Sequence, residues 1–176
     1  MFALRLIDGI PVDRAQQRFT ATYRVDDRLT VGIEVNPLAN DVGPLANWRA
    51  LDETETRPAL IFGTSSDRIG STEGRAVYGT LSKDLEQATG LPVAPYAGLT
   101  FGEFEDEWRV IGGLHVRWTE RWTSTHLYDG VNIHHLAGRS FGERFRAGGV
   151  LVQQDDDYYL GVSFGVSFGE STPLTP

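Results

Sequence analysis

Between Tyr158 and Phe168 the chain alternates without a break. Leu160, Val162, Phe164, Val166 and Phe168 share one side of an extended backbone, and Gly161, Ser163, Gly165 and Ser167 share the other. A period of two belongs to a strand, because a helix would scatter these positions around its axis. One face is wholly apolar and the other is small and polar. This is the pattern of a wall between an apolar phase and a narrow, crowded interior.

The same period recurs upstream. Phe19, Ala21, Tyr23 and Val25 alternate with Thr20, Thr22, Arg24 and Asp26. After a polar turn at Asp26-Asp27-Arg28, Leu29, Val31, Ile33 and Val35 alternate with Thr30, Gly32, Glu34 and Asn36. The two runs predict a hairpin. Asn36-Pro37 ends the second run, since proline cannot donate to a ladder. Residues 38–57, with Pro44, two Leu-Ala-Asn copies and Trp48, read as one long loop. Further strands are predicted over 58–65, 75–81, 94–104, 108–118, 122–128, 131–141, 145–153 and 158–168. Residues 82–90 predict one helical turn, with Ser82 as cap and Gly90 as stop. Residues 1–17 read as a lead-in with a short strand at Phe2–Ile7, and 169–176 as a tail with Pro173 and Pro176.

Short connections join neighbouring antiparallel strands. The expected fold is therefore all-β, an antiparallel up-and-down β-barrel of about ten strands over 18–168, or eight if 75–81 and 122–128 fail.

Alternation alone does not say which face points outward. Three features favour lipid outside and a transmembrane barrel. Trp108 and Trp118 bracket the apolar face of one strand, ten residues apart, or roughly 33 Å along it. Tilted by about 40°, that spans roughly 25 Å, the height of a membrane barrel's apolar band, and tryptophan favours its two boundaries. Only Lys83 among the 16 basic residues is lysine, unlike an ordinary soluble surface. The faces opposite the apolar ones are rich in Gly, Ser and Thr. With lipid outside, Arg24, Glu34, Arg109, His115 and Arg117 face the lumen, and long paired side chains fill it too fully for a wide pore. The opposite arrangement is a soluble barrel binding an apolar ligand inside.

The net charge of −8 argues against a nucleic-acid partner, which wants a basic patch. The absence of cysteine excludes disulfides and thiolate chemistry. No stretch approaches the roughly 18 apolar residues of a membrane helix. No signal peptide is legible, because Met1–Ile7 meets Asp8 at once, although export of a barrel calls for one.

Over residues 18–168 the chain resembles a small bacterial outer-membrane β-barrel. Phe164-Gly165-Val166-Ser167-Phe168 is similar to the aromatic–x–hydrophobic–x–aromatic signal read in that class by the barrel-assembly machinery, though eight residues follow it here. The resemblance implies an outer-membrane location, with membrane lipid and the assembly machinery as partners.

Acidic residues gather in alternate turns, at Asp26-Asp27, Asp67 with Glu73, Glu105-Asp106-Glu107, Asp129 and Asp155-Asp156-Asp157. In a ten-strand meander all five lie on one rim, where they either bind divalent cations or simply make good turns. The one cluster with catalytic potential is Ser124, His126, Asp129, His134 and His135. Ser124 and His126 share a strand face, as a nucleophile and base would. The bland reading is a set of rim and lumen residues making hydrogen bonds. His134 and His135 point to opposite faces and make a poor two-ligand metal site. No phosphate loop, dinucleotide fingerprint or zinc spacing is present. The expected function is a non-enzymatic structural, anchoring or narrow-channel barrel that needs no cofactor. The soluble ligand-binding barrel and a lipid-modifying membrane-barrel enzyme are the alternatives.

Overall fold

The computed structural model describes residues 1–168. They form one closed antiparallel sheet of twelve strands in strict up-and-down order. The strands are β1 (Phe2–Ile7), β2 (Gln17–Arg24), β3 (Leu29–Asn36), β4 (Asp41–Leu51), β5 (Ala59–Ser66) and β6 (Arg75–Ser82), then β7 (Val93–Gly102), β8 (Glu107–Arg117), β9 (Trp122–Tyr128), β10 (Ile133–Phe141), β11 (Phe145–Gln154) and β12 (Asp157–Val166). β1 closes the barrel against β12, with Phe2 opposite Val166 and Ile7 opposite Gly161. The expected tail, 169–176, lies outside the described residues.

Twelve strands replace the expected ten. One addition is β1, which joins the wall, so the barrel begins well before residue 18. The other is β4, which runs through the stretch read as a long loop. Its period was hidden by proline, yet Val42, Pro44, Ala46 and Trp48 do share a face with the outward residues of β3. Pro44 is tolerated because β4 pairs with β5 only from Ala46 onward, so no ladder needs its missing N–H. Pro95 in β7 is placed alike, since pairing with β6 begins at Tyr96. The predicted helical turn is α2 (Glu86–Thr89), stopped by Gly90 at a left-handed φ of 74°, while Ser82 ends β6 instead of capping.

The extra strand changes which turns share a rim. Turns 25–28, 52–58, 83–92, 118–121 and 142–144 lie on the rim where β1 begins and β12 ends, here the terminal rim. Connections 8–16, 37–40, 67–74, 103–106, 129–132 and 155–156 lie on the opposite, plug rim. Asp26-Asp27 therefore sits across the barrel from the other four acidic turns.

The apolar face points outward. Val110 is 63 % and Leu160 70 % exposed, while Glu34 and Asn36 are buried inside. Large polar side chains reach into the lumen and lie over small residues of the wall. A Cβ on Gly63 would meet the Tyr78 ring at 2.4 Å, and one on Gly43 would meet the Arg75 guanidinium at 2.1 Å. The only apolar core cluster of the described residues closes the plug rim. There Ile10, Val12 and Ala15, around the short helix α1 (Asp13–Gln16), pack on Ile7, Val150 and Val152 of the wall. Arg14 of α1 donates to the carbonyl oxygens of Gly74 at 2.9 Å and Asp67 at 3.2 Å.

Ile10 is fully buried in this plug. Ile10→Ala is expected to lower the unfolding free energy by about 2–5 kcal/mol, read as a shift of the urea midpoint. An unchanged midpoint would mean that residues 8–16 do not pack as described.

Candidate functional site

The lumen-facing candidates are split between the two rims. Glu34 accepts from Asn36 Nδ2 at 2.9 Å and pairs with Arg18 near the plug rim. Arg109 reaches Glu105 at 2.9 Å and also pairs with Glu107, and Glu105 holds Arg68 at 2.6 Å. Between these networks lies a cavity of about 260 Å³, lined by Arg5, Arg14, Arg18, Glu34, Tyr78 and Tyr96 among others. Nearer the terminal rim, His115 Nδ1 is 3.0 Å from Thr125 Oγ1. Arg117 pairs with Asp84 at 2.9 Å and with Glu86, both in the 83–92 connection. Arg24 is exposed at the mouth, opposite Thr30 in register. These residues fill and brace the lumen, and they do not converge on one reacting point.

Some of the acidic turns use a carboxylate to accept from turn amides, while Glu105 and Glu107 pair with arginines. Asp26 Oδ1 accepts from the Arg28 and Leu29 amides at 2.7 and 2.8 Å. Asp67 accepts from the Arg68 and Phe104 amides at 2.7 and 3.0 Å. Among the described residues, no group of three or more His, Asp or Glu side chains is arranged to hold a metal ion.

On the outer wall the Ser124 cluster separates into two parts. Strand parity sends Trp122, Ser124, His126 and Tyr128 of β9 outward, into the same cross-strand rows as Arg139, Ala137, His135 and Ile133 of β10. Asp129 and His134 belong elsewhere. They pair at 2.8 Å on the inner side of the plug rim, with His134 fully buried. Sequence reasoning grouped Asp129, His134 and His135 alike with Ser124 and His126, and its bland reading placed them at the rim and in the lumen. The register puts His135 in that third position and puts the group on the outer wall.

The outward group is continuous. Ser124 Oγ lies 3.2 Å from His126 Nε2, and His126 Nδ1 lies 2.8 Å from His135 Nδ1. The indole N–H of Trp118 donates to Ser124 Oγ at 2.9 Å. Two facing Nδ1 atoms can bond only if one carries the proton. With the proton on His126 Nδ1, its Nε2 is free to accept the Ser124 hydroxyl proton. That is the tautomer a general base requires. One row nearer the terminal rim, the Arg139 guanidinium lies 5.6 Å from the Trp122 ring and 5.2 Å from that of Phe141, and its Nε is buried without a partner. Sequence signals were enough to place Ser124 and His126 on one face. Arg139 carried no signal, since only pairing across β10 brings it beside Trp122.

Trp108 and Trp118 stand at opposite rims, each 66 % exposed. Trp48 and Trp122 are exposed near the terminal rim as well. Phe164 and Val166 lie on the outer face of β12, and Phe168, just beyond it, meets Phe2 edge-to-face at 5.9 Å. The chain matches no protein-family model and no curated protein.

The Asp129–His134 pair gives a pH prediction. Burial opposes ionisation of Asp129, but the bond from His134 and the amides of Asn132 and Val131 outweigh it and hold the carboxyl below its usual 3.8. A depressed carboxylate stabilises the fold above its unfolded value, and that stability is lost as pH falls through the folded value. Thermal midpoints should therefore drop on acidification below about pH 4, and Asp129→Asn should flatten part of that drop. An identical acid limb in the variant would mean that the pair contributes nothing.

Proposed function

We propose that this chain is an integral membrane β-barrel of structural or anchoring type, its lumen filled rather than open, with the outer wall as its working surface. The observation that carries this reading is the outer wall itself. Phe19, Ile33, Phe62, Leu99, Val110 and Leu160 are exposed over its height, with indoles towards both ends. A water-facing surface of that kind would be an apolar patch far larger than soluble monomers carry. A bilayer accepts it, and tryptophan suits both boundaries. The soluble reading needs an apolar interior, whereas Arg5, Arg14, Arg18 and Glu34 line the lumen cavity. An outer-membrane location follows the class resemblance, with membrane lipid and the barrel-assembly machinery as partners. The outward Phe164 and Val166, with Phe168 beyond the strand, are compatible with an assembly signal.

Purified protein is expected to require detergent and to run as a compact band whose mobility shifts on boiling. Reconstituted into planar bilayers, it should show no conductance of porin size. Monodisperse protein in plain buffer would refute membrane insertion, and a large steady conductance would refute the filled lumen.

A further inference from the structure

We infer that the outer wall carries a serine esterase site, formed by Ser124, His126 and His135, that hydrolyses an acyl ester of membrane glycerophospholipid. The inference rests on the membrane-barrel reading above. It departs from the expectation of a non-enzymatic barrel.

The first ground is that these residues break the rule of the wall. The outward neighbours of His126 and His135 in the same cross-strand row are Leu114 and Leu151. The outward neighbour of Ser124 on β8 is Val116. Polar groups on a lipid face are costly, more so towards the midplane than at the boundary. Here a serine, two histidines and an arginine occupy adjacent outward positions of β9 and β10. Mutual hydrogen bonding lowers that cost but does not account for choosing them over Leu or Val.

The second ground is the order of the contacts. A hydroxyl, an imidazole and a second group orienting that imidazole form a chain of 3.2 and 2.8 Å. This is the nucleophile–base–orienter relation of acyl-transfer sites. A mere cluster of polar residues has no need of that order.

The third ground is depth and surroundings. Ser124 lies two residues from Trp122, or about 7 Å along the strand, on the apolar side of the terminal-rim indoles. Ester linkages of a lipid lie just beneath its headgroup, which is the depth these aromatic rings mark. Arg139 lies one row towards the rim, where a lipid phosphate would be, and a guanidinium suits phosphate. Beside Ser124 in its own row come Ala137 and Gly149, and a Cβ on Gly149 would meet nothing within 4 Å. The wall is thus shallow beside the serine, while Ser124 itself is only 7 % exposed under the Trp118 indole, so that ring must turn aside for an ester carbonyl to reach Oγ.

Ser124 Oγ attacks the ester carbonyl carbon while its proton passes to His126 Nε2. His135 Nδ1 accepts from His126 Nδ1–H and steadies the imidazolium, which makes it a positioning residue. The Trp118 N–H, released from Oγ, stabilises the oxyanion. Collapse breaks the ester C–O bond, and His126 returns the proton to the lysophospholipid hydroxyl that leaves. Water then attacks the acyl-serine with His126 as base. Fatty acid departs, Ser124 is restored, and one ester and one water yield one alcohol and one acid.

The test uses the whole chain in vesicles of dioleoyl phosphatidylethanolamine and phosphatidylglycerol, after flotation has established insertion. Lysophospholipid and oleate should form, and Ser124→Ala should remove the activity by about 10³-fold or more. A fluorophosphonate probe should label Ser124 and no other residue. His135→Ala should lower kcat by about 10²-fold with KM little changed, and His135→Asn, which still offers His126 an acceptor, should recover much of it. Arg139→Ala should raise KM for phospholipid about tenfold with kcat little changed, and Arg139→Lys, which keeps the charge, should recover part of that loss. Floated protein that releases no oleate, or releases it equally as Ser124→Ala, overturns the esterase and leaves the membrane barrel standing. Protein that fails to float overturns the membrane reading and the phospholipid assignment with it.

Discussion

Closure of the sheet is the constraint on which everything else depends. Every strand of this barrel has two neighbours, and the pairing of β1 with β12 removes the last free edge. In a medium without water an unpaired edge would leave a row of unsatisfied N–H and C=O groups, so a spanning sheet must close. Closure then fixes parity. Once the outward side of one strand is known, the cross-strand rows assign every other strand, because opposite residues share a face. Leu114, His126, His135, Leu151 and Leu160 form one such row. His134 faces inward for the same reason that His135 faces out.

Filling the lumen is the second consequence of that geometry. Many of its side chains are charged: Arg18 pairs with Glu34, Arg75 with Asp41, and Arg68 and Arg109 with Glu105, while Arg14 donates to turn carbonyl oxygens. Glycines at the wall let Tyr78 and Arg75 lie flat across it. The plug seals one rim with apolar packing that the wall could not supply alone, since most of its apolar surface points the other way. Arg14 ties the plug to the 67–74 turn. Leu136 of β10 packs against the plug's apolar cluster from the inner side of the wall.

Much of this was legible in the sequence, and the part that was not has a common cause. Alternation exposed the barrel, the placing of Trp108 and Trp118 on the apolar face and the shared face of Ser124 and His126, because a period of two is local. β4 escaped because Pro44 reads as a breaker unless one knows that β5 pairs only beyond it. Missing that strand inverted the rim of Asp26-Asp27, since one uncounted strand reverses the side of a turn. Which of Asp129, His134 and His135 joins Ser124 and His126 was not legible for a related reason. Asp129 is near in sequence, whereas His135 becomes a neighbour of His126 only through the β9–β10 register. Sequence distance and register disagree at hairpins, and there register decides.

The polar island on the outer wall gains meaning from where it lies. Deep in the bilayer, Ser124, His126 and His135 would face hydrocarbon alone, with no ester to attack and little water to complete a hydrolysis. Beyond the rim they would face bulk water, where an exposed indole would not be favoured over Ser124. At the level just inside Trp118 and Trp122 of an inserted barrel both reactants would be at hand, because lipid esters would sit there and water would reach that depth. The same indoles that would hold the barrel at its boundary thus set the height of the site. Trp118 does both, with its ring exposed to the surroundings and its N–H on the serine oxygen. A hydroxyl that must be desolvated to react, yet must meet water in its second step, is best placed at such a boundary. The strand parity that sends it outward is the parity that closes the barrel.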